Sequence, residues 1–154
     1  MSNTYSKVAF HIIFAVRYRE ALILPQYRDE LQKMMTGFFQ NRGQKMIAIY
    51  CMPDHVHILI SYRPSAHISD LVRDLKMAST AFIKEKGWYR HTFHWQNGYG
   101  LFSYDPRNLD GIVNYIHTQE DKHARRKFLA EYRMILQNFG VEYDEKYLFE
   151  NLDV

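Results

Sequence analysis

The sequence predicts an α+β fold, ferredoxin-like (RRM-like) in its order β-α-β-β-α-β, with an antiparallel sheet and two helices on one sheet face. In two segments, 7–17 and 55–62, successive side chains point to opposite faces, as they do in a strand, and one face of each segment is apolar. Two longer segments, 25–42 and 68–86, repeat apolar residues at helical spacing and are each followed by a glycine. Their order along the chain is that of a split β-α-β motif.

Two further strands complete the predicted sheet. Residues 45–51 are predicted as the second strand, which the Pro53-Asp54 turn joins to the strand at 55–62. Residues 99–104 are predicted as a short fourth strand. Because both helices need the apolar stripes of the strands, we expect them to leave the opposite sheet face open.

Two C-terminal helices are predicted after the sheet. The first covers 105–119, with Asp105 as N-cap and Pro106 in the first helical position. The second is marked by apolar residues at helical spacing, namely Phe128, Leu129, Tyr132, Ile135, Leu136 and Phe139.

Composition limits the class of protein. The 154 residues, 47% of them hydrophobic, suit a single domain over residues 1–154. The one cysteine, Cys51, excludes a disulfide framework and suits a reducing compartment, so we expect a cytoplasmic protein. The longest apolar run is too short to span a membrane, and we expect no signal peptide. A formal net charge of +3 permits a nucleic-acid partner without requiring one.

Two histidines lie on one face of the strand at 55–62. Because strand side chains alternate, His55 and His57 point the same way, away from the apolar stripe. Their imidazoles are about 7 Å apart along the strand, close enough to reach one metal ion. In the alternative interpretation, both are polar residues on a solvated sheet face.

A tyrosine and a glutamine share one face of the helix at 105–119. Tyr115 and Gln119 are four residues apart and could be presented together over the two histidines. Two imidazoles and an amide oxygen suit Mg²⁺ or Mn²⁺, which would polarise a phosphodiester. Tyr115 is the candidate attacking group, because a phenol ionises at about pH 10 and its phosphoester is a good leaving group for a return step. Such chemistry suits DNA cleavage, storage as a covalent 5′-phosphotyrosine, and rejoining.

Four motifs carry a resemblance to a known family. Segments 10–19, 52–60, 95–103 and 115–119 resemble, in the same order, the motifs of the single-tyrosine HUH transposases of small bacterial insertion sequences and of their relatives associated with repetitive palindromes. The resemblance implies a metal-dependent transposase that acts on single-stranded DNA hairpins at element ends. It assigns Tyr115 as the nucleophile and His55, His57 and Gln119 as metal ligands. It also implies a homodimer in which the tyrosine helix of one subunit serves the histidines of the other.

Alternatives remain at several of these positions. Tyr104 lies only eleven residues before Tyr115 and is a second candidate for the nucleophile. Tyr115 is also explained as a buried helix aromatic, and Gln119 as a solvated residue. His123 is a rival metal ligand. His11 either lies behind the metal ligands and supports them, or is simply a polar group whose hydrogen bonds are made.

The predicted DNA contacts are basic side chains, for which a solvated surface position is the alternative. They are Arg17, Arg19, Arg73, Lys76, Lys122, Arg125 and Arg126. The aromatic segment 88–96 suits either base stacking or a small core of its own. Alternative functions are a domesticated palindrome-processing relative, a rolling-circle initiator or relaxase, a non-catalytic nucleic-acid-binding module, and a Zn²⁺ hydrolase.

Overall fold

A computed structural model describes residues 3–119 and 127–148. Four strands form one antiparallel sheet, namely β1 (Ala9–Ala15), β2 (Lys45–Cys51), β3 (His55–Ser61) and β4 (Gly100–Tyr104). Their order across the sheet is β2-β3-β1-β4. Each β-α-β unit therefore has a strand of the other unit inserted between its own two strands. This is the ferredoxin-like order that the sequence predicts.

Two helices, α1 (Pro25–Asn41) and α2 (Ile68–Lys86), cover one face of the sheet. Alternate residues of the central strands enter the main core with the apolar stripes of both helices, among them Ile12, Phe14, Val56, Ile58, Ile60, Leu31, Met35, Leu71, Val72 and Leu75. Gly87 ends α2 in the left-handed conformation, with a φ of 66°, which costs glycine little. The predicted alternation of β1 and β3 is confirmed by this packing.

Two shorter helices, α3 (Asp110–His117) and α4 (Phe128–Asn138), cover the opposite face. Ile112 and Ile116 of α3 pack on Leu59 of β3. Phe128, Tyr132 and Leu136 of α4 pack on Ile13, Ala15 and Phe102. The expectation that α1 and α2 leave this face uncovered is confirmed. The expectation that the face is open is wrong, because α3 and α4 bury it.

The tyrosine helix begins later than predicted. The Asp105 carboxylate accepts a hydrogen bond from the backbone N–H of Arg107 at 3.0 Å, and the N–H of Asn108 donates to the carbonyl of Asp105 at 3.0 Å. These bonds form a local turn that competes with helix formation. Asp105 therefore caps a turn, and α3 begins five residues later, at Asp110.

The first strand is shorter than the predicted 7–17. After Ala15, Val16 makes an isolated bridge to Trp95, and Arg17–Arg19 forms a 3₁₀ turn. Tyr18 and Arg19 have φ values of 58° and 53°, which turn the chain out of the sheet. A second 3₁₀ turn spans Glu145–Tyr147. No helix in residues 3–119 and 127–148 is long and apolar enough to cross a membrane.

Candidate active site

The two histidines of β3 lie on the covered face, with His55 at the start of the strand. Strand alternation puts both on the side of α3 and α4, and both side chains are fully buried. Their ring centroids are 5.1 Å apart, with the rings nearly perpendicular. His55 stacks on Phe128 of α4, with ring centroids 3.8 Å apart. The interpretation of these histidines as polar groups on a wet sheet face is therefore wrong.

A neighbouring side chain holds the Nδ1 atom of each histidine. Nδ1 of His55 donates to the Asp54 carboxylate at 2.6 Å, so a neutral His55 carries its lone pair on Nε2. Nδ1 of His57 lies 2.9 Å from Nε2 of His11 on β1. When His57 donates in this bond, its own Nε2 carries the lone pair that a metal needs. Burial, followed by the nearby His57, holds the pKa of His11 well below its usual value, so His11 stays an uncharged partner.

Helix α3 brings Tyr115 to these histidines within the same chain. Its ring lies 5.9 Å from the ring of His57, measured between centroids, in a perpendicular arrangement. The nearby Ile112 and Ile116 hold the helix on the sheet. Tyr104 lies near His11 instead, with ring centroids 6.0 Å apart. The geometry therefore pairs Tyr115, rather than Tyr104, with a histidine of β3.

Gln119 lies just beyond α3 and is fully buried. Its Nε2 donates to the backbone carbonyl of Tyr115 at 3.0 Å, one turn earlier. Its Oε1 is buried and has no hydrogen-bond partner within residues 3–119 and 127–148. The amide is thus fixed at its nitrogen and presents an oxygen acceptor, which is the part of the group that binds a cation. The alternative in which Gln119 is solvated is wrong.

A carboxylate that the sequence did not single out completes the cluster. Glu131 of α4 is only 4% exposed. Its Oε1 accepts a hydrogen bond from the phenol of Tyr115 and lies 3.4 Å from Nε2 of His57. Glu131 shares the buried face of α4 with Phe128 and Tyr132. A charged residue on the apolar face of an amphipathic helix is the sequence signal that could have identified it.

The surroundings of Tyr115 favour the protonated phenol. Burial first, and then the negative charge of Glu131, raise the pKa of Tyr115 far above its ordinary value. A phenolate therefore does not form in advance at neutral pH. Attack by Tyr115 requires a group that takes the proton as the new bond forms.

A cavity of about 310 Å³ opens beside the phenol, between α3 and α4. Tyr104, Tyr115, Glu131 and Met134 contribute to its walls. Tyr115 is therefore half-buried rather than sealed, with open space beside its side chain.

The residues present fit a divalent cation only when the glutamine is included. Within residues 3–119 and 127–148, no three histidine, cysteine, aspartate or glutamate side chains converge on one ion position. The two imidazoles of β3 and the Gln119 oxygen make a mixed nitrogen and oxygen donor set of the kind that Mg²⁺ or Mn²⁺ accepts. The roles of these three residues as ligands stay a prediction.

The predicted DNA contacts are spread over the molecule. Arg17 is exposed and Arg19 half-buried, after β1. Arg73 pairs with Asp70 and Asp74, and Lys76 donates to the carbonyls of Gln96 at 2.8 Å and Gly98 at 2.6 Å. Both lie on α2, across the sheet from Tyr115. DNA contact at these four positions stays a prediction. Lys122, Arg125, Arg126 and the rival ligand His123 lie outside the described residues.

The aromatic segment 88–96 packs inward. Phe93 and Trp95 are 3% and 8% exposed and belong to the main core. The indole N–H of Trp95 donates to the hydroxyl of Ser79 at 2.8 Å. The core interpretation holds for these two residues, although they join the main core rather than a small one of their own.

The chain is similar in sequence to known transposases. The family model described as transposase IS200 like matches residues 4–119, a range that includes both histidines, Tyr115 and Gln119 but not Glu131. The ISDra2 transposase TnpA of Deinococcus radiodurans is 31% identical over 123 residues, which cover 75% of this chain and 86% of that protein. The transposase for insertion sequence element IS200 of Salmonella typhimurium is 26% identical over 129 residues, covering 79% and 84%.

A solved structure shares the fold. A REP-associated tyrosine transposase bound to a REP hairpin superposes with a TM-score of 0.59 and 17% identity, covering 100% of this chain and 93% of that one. At this identity the likeness concerns the fold.

Proposed function

Because the chain belongs to the IS200-like transposase family, we propose that it cuts and rejoins single-stranded DNA through a covalent bond to Tyr115. The observation that carries this proposal is the convergence of three elements on one point. Tyr115 of α3 packs on His57 of β3, and Glu131 of α4 contacts both side chains. Such a cluster of buried polar groups beside a cavity is typical of catalytic sites.

The proposed step is a transesterification. The phenol oxygen of Tyr115 forms a bond to the phosphorus of a DNA phosphodiester, and the bond from that phosphorus to the 3′ oxygen breaks. The phenol proton leaves Tyr115, a proton from solvent reaches the departing 3′ oxygen, and the DNA 5′-phosphate remains on the tyrosine. Since the energy of the phosphodiester is kept in the aryl ester, a 3′-hydroxyl can attack in the reverse sense and rejoin the strand.

The proposed ligands of a divalent ion are Nε2 of His55, Nε2 of His57 and Oε1 of Gln119. When bound, Mg²⁺ or Mn²⁺ supplies Lewis-acid polarisation of the phosphodiester. The protein keeps these ligands oriented through Asp54 and His11, which hold the Nδ1 atoms of the two imidazoles.

The proposed substrates are single-stranded DNA hairpins at the ends of an insertion sequence. The presence of a REP hairpin in the solved transposase of the same fold supports a hairpin partner. The basic residues Arg17 and Arg19 near the end of β1 are candidates for phosphate contacts. A homodimer with shared sites stays a prediction. In the single chain, Tyr115 already lies beside its own His57.

Processing of palindromic repeats by a domesticated relative is the second candidate. The fold of the REP-associated transposase extends over the whole chain, whereas the family model ends at residue 119 and the two insertion-sequence relatives cover 75% and 79% of the chain. The chemistry proposed for Tyr115 is the same in both candidates, and the DNA substrate distinguishes them.

The test mixes the protein with a labelled single-stranded hairpin oligonucleotide and Mg²⁺ or Mn²⁺. We expect an adduct that survives SDS and is lost in Tyr115→Phe and on addition of EDTA. Tyr104→Phe is the matched control and should keep the adduct. Hairpin binding without an adduct under either metal would favour a non-catalytic binding module. DNA cleavage that continues in Tyr115→Phe would favour a hydrolase.

A further inference from the structure

The carboxylate of Glu131 lies where a buried charge is costly. Transfer of a carboxylate from water into a protein interior is unfavourable unless the group is paired and hydrogen-bonded. Here its Oε1 accepts a hydrogen bond from the Tyr115 phenol. Packing of Phe128, Tyr132 and Leu136 of α4 against the sheet keeps the carboxylate in this position.

We propose that Glu131 is the catalytic proton acceptor for Tyr115, a role that rests on the function proposed above. As the phenol oxygen forms its bond to phosphorus, the O–H bond of Tyr115 breaks and the proton binds Oε1 of Glu131. The resulting carboxylic acid is neutral. In the reverse reaction it returns the proton to the departing phenol oxygen.

The geometry favours this role in two ways. The phenol hydrogen already points at the carboxylate, so proton transfer needs no rearrangement of the protein. The cavity of about 310 Å³ is lined by both Tyr115 and Glu131, so a phosphodiester has space beside this pair.

Metal binding is the rival role for Glu131. Its distance from His57 Nε2 resembles the separation of two ligands on one ion. However, His55, His57 and Glu131 do not converge on a common ion position. The bond from the Tyr115 phenol already uses the same Oε1 atom. We therefore infer that the Glu131 carboxylate accepts the phenol proton rather than binding the metal ion.

The first experiment compares Glu131→Gln with the wild-type protein in single-turnover adduct formation on a hairpin oligonucleotide. Glutamine keeps the size of the side chain but accepts no proton, so we expect the rate to fall by about 100- to 10,000-fold. Mn²⁺ affinity, measured by electron paramagnetic resonance without DNA, and hairpin affinity should stay within about threefold of wild type. Glu142→Gln, at an exposed glutamate, is the matched control and should react at the wild-type rate.

The second experiment removes the need for a base. A fluorinated tyrosine at position 115 has a phenol that ionises near neutral pH. With it, the loss of adduct-formation rate caused by Glu131→Gln should be less than tenfold. If Glu131→Gln does not fold, Glu131→Asp serves in its place, because it keeps a carboxylate but moves it one methylene away. We expect a smaller loss in that variant, also reduced by the fluorinated tyrosine.

Three results would overturn the assignment. They are a wild-type rate in Glu131→Gln, a deficit that the fluorinated tyrosine leaves unchanged, and a loss of Mn²⁺ affinity that parallels the loss of rate. If the wild-type protein itself forms no adduct, the proposed function fails together with this role. If the wild type forms an adduct and Glu131→Gln forms it equally fast, only the role of Glu131 fails.

Discussion

Replacement of Gly100 by alanine adds one methyl group at the point where α4 rests on the sheet. A Cβ atom at this position would lie 2.6 Å from the hydroxyl oxygen of Tyr132 and 2.9 Å from Cε2 of Phe102. An optimal contact between nonpolar atoms is about 3.5–4.0 Å. Because the Tyr132 ring is buried against Phe102 and Phe128, it cannot move aside without shifting α4.

The expected magnitude follows from the cost of overpacking a buried site. Forced shifts of side chains and backbone cost about 1–3 kcal/mol. For a chain of this size, each kcal/mol lowers the melting temperature by about 2–4 °C. We therefore expect Gly100→Ala to melt roughly 2–12 °C below wild type. Since α4 carries Glu131, the rate of adduct formation should fall as well.

The assay is thermal unfolding followed by circular dichroism, with Gly37→Ala as the matched control. Gly37 lies inside α1, and a Cβ atom there would meet no heavy atom within 4 Å. The same substitution should stabilise this helix by about 0.5–1 kcal/mol. A melting temperature for Gly100→Ala that equals or exceeds that of Gly37→Ala would refute the described docking of α4.

Three further predictions concern the core, the metal and the loop beside α2. Ser79→Ala removes the acceptor of the buried Trp95 indole N–H, so we expect a loss of about 1–3 kcal/mol in urea unfolding; Ser103→Ala, at an exposed site of β4, should change little. His11→Ala removes the partner of the His57 Nδ1 atom, so Mn²⁺ affinity measured by titration should fall about 10- to 100-fold; unchanged affinity would contradict a supporting role. Burial lowers the pKa of Lys76 to about 8, so ¹³C NMR of its Cε carbon should show a titration centred there. In the unfolded chain this lysine keeps its proton to about pH 10.4. Between about pH 8 and pH 10.4 the protein therefore takes up a proton when it unfolds, so the contribution of Lys76 to stability rises with pH in that range.

Sequence patterns predicted the parts of the fold that depend on local periodicity. The alternation along β3 predicts the shared face of His55 and His57, because side chains of a strand alternate regardless of what packs on them. Helical spacing located α2 at its observed bounds, since its apolar stripe and Gly87 act locally. The shared face of Tyr115 and Gln119 follows from the same kind of periodicity.

Features that depend on tertiary packing could not be predicted in the same way. Glu131 reaches Tyr115 only because α4 folds back over the sheet, and no local pattern fixes that path. The start of α3 differs from the prediction because Asp105 suits an N-cap and a local turn equally well. The hydrogen bonds to Arg107 and Asn108 stabilise the turn.

The most direct test of the central claim is to locate the covalent bond to DNA by mass spectrometry. Trypsin separates the two candidate tyrosines, because cleavage at Arg107 leaves Tyr104 in peptide 91–107 and Tyr115 in peptide 108–122. After reaction with a hairpin oligonucleotide and nuclease digestion, we predict a nucleotide on peptide 108–122, at Tyr115. A nucleotide on Tyr104, or hairpin binding with no modified tyrosine, would contradict the assignment of Tyr115 as the nucleophile.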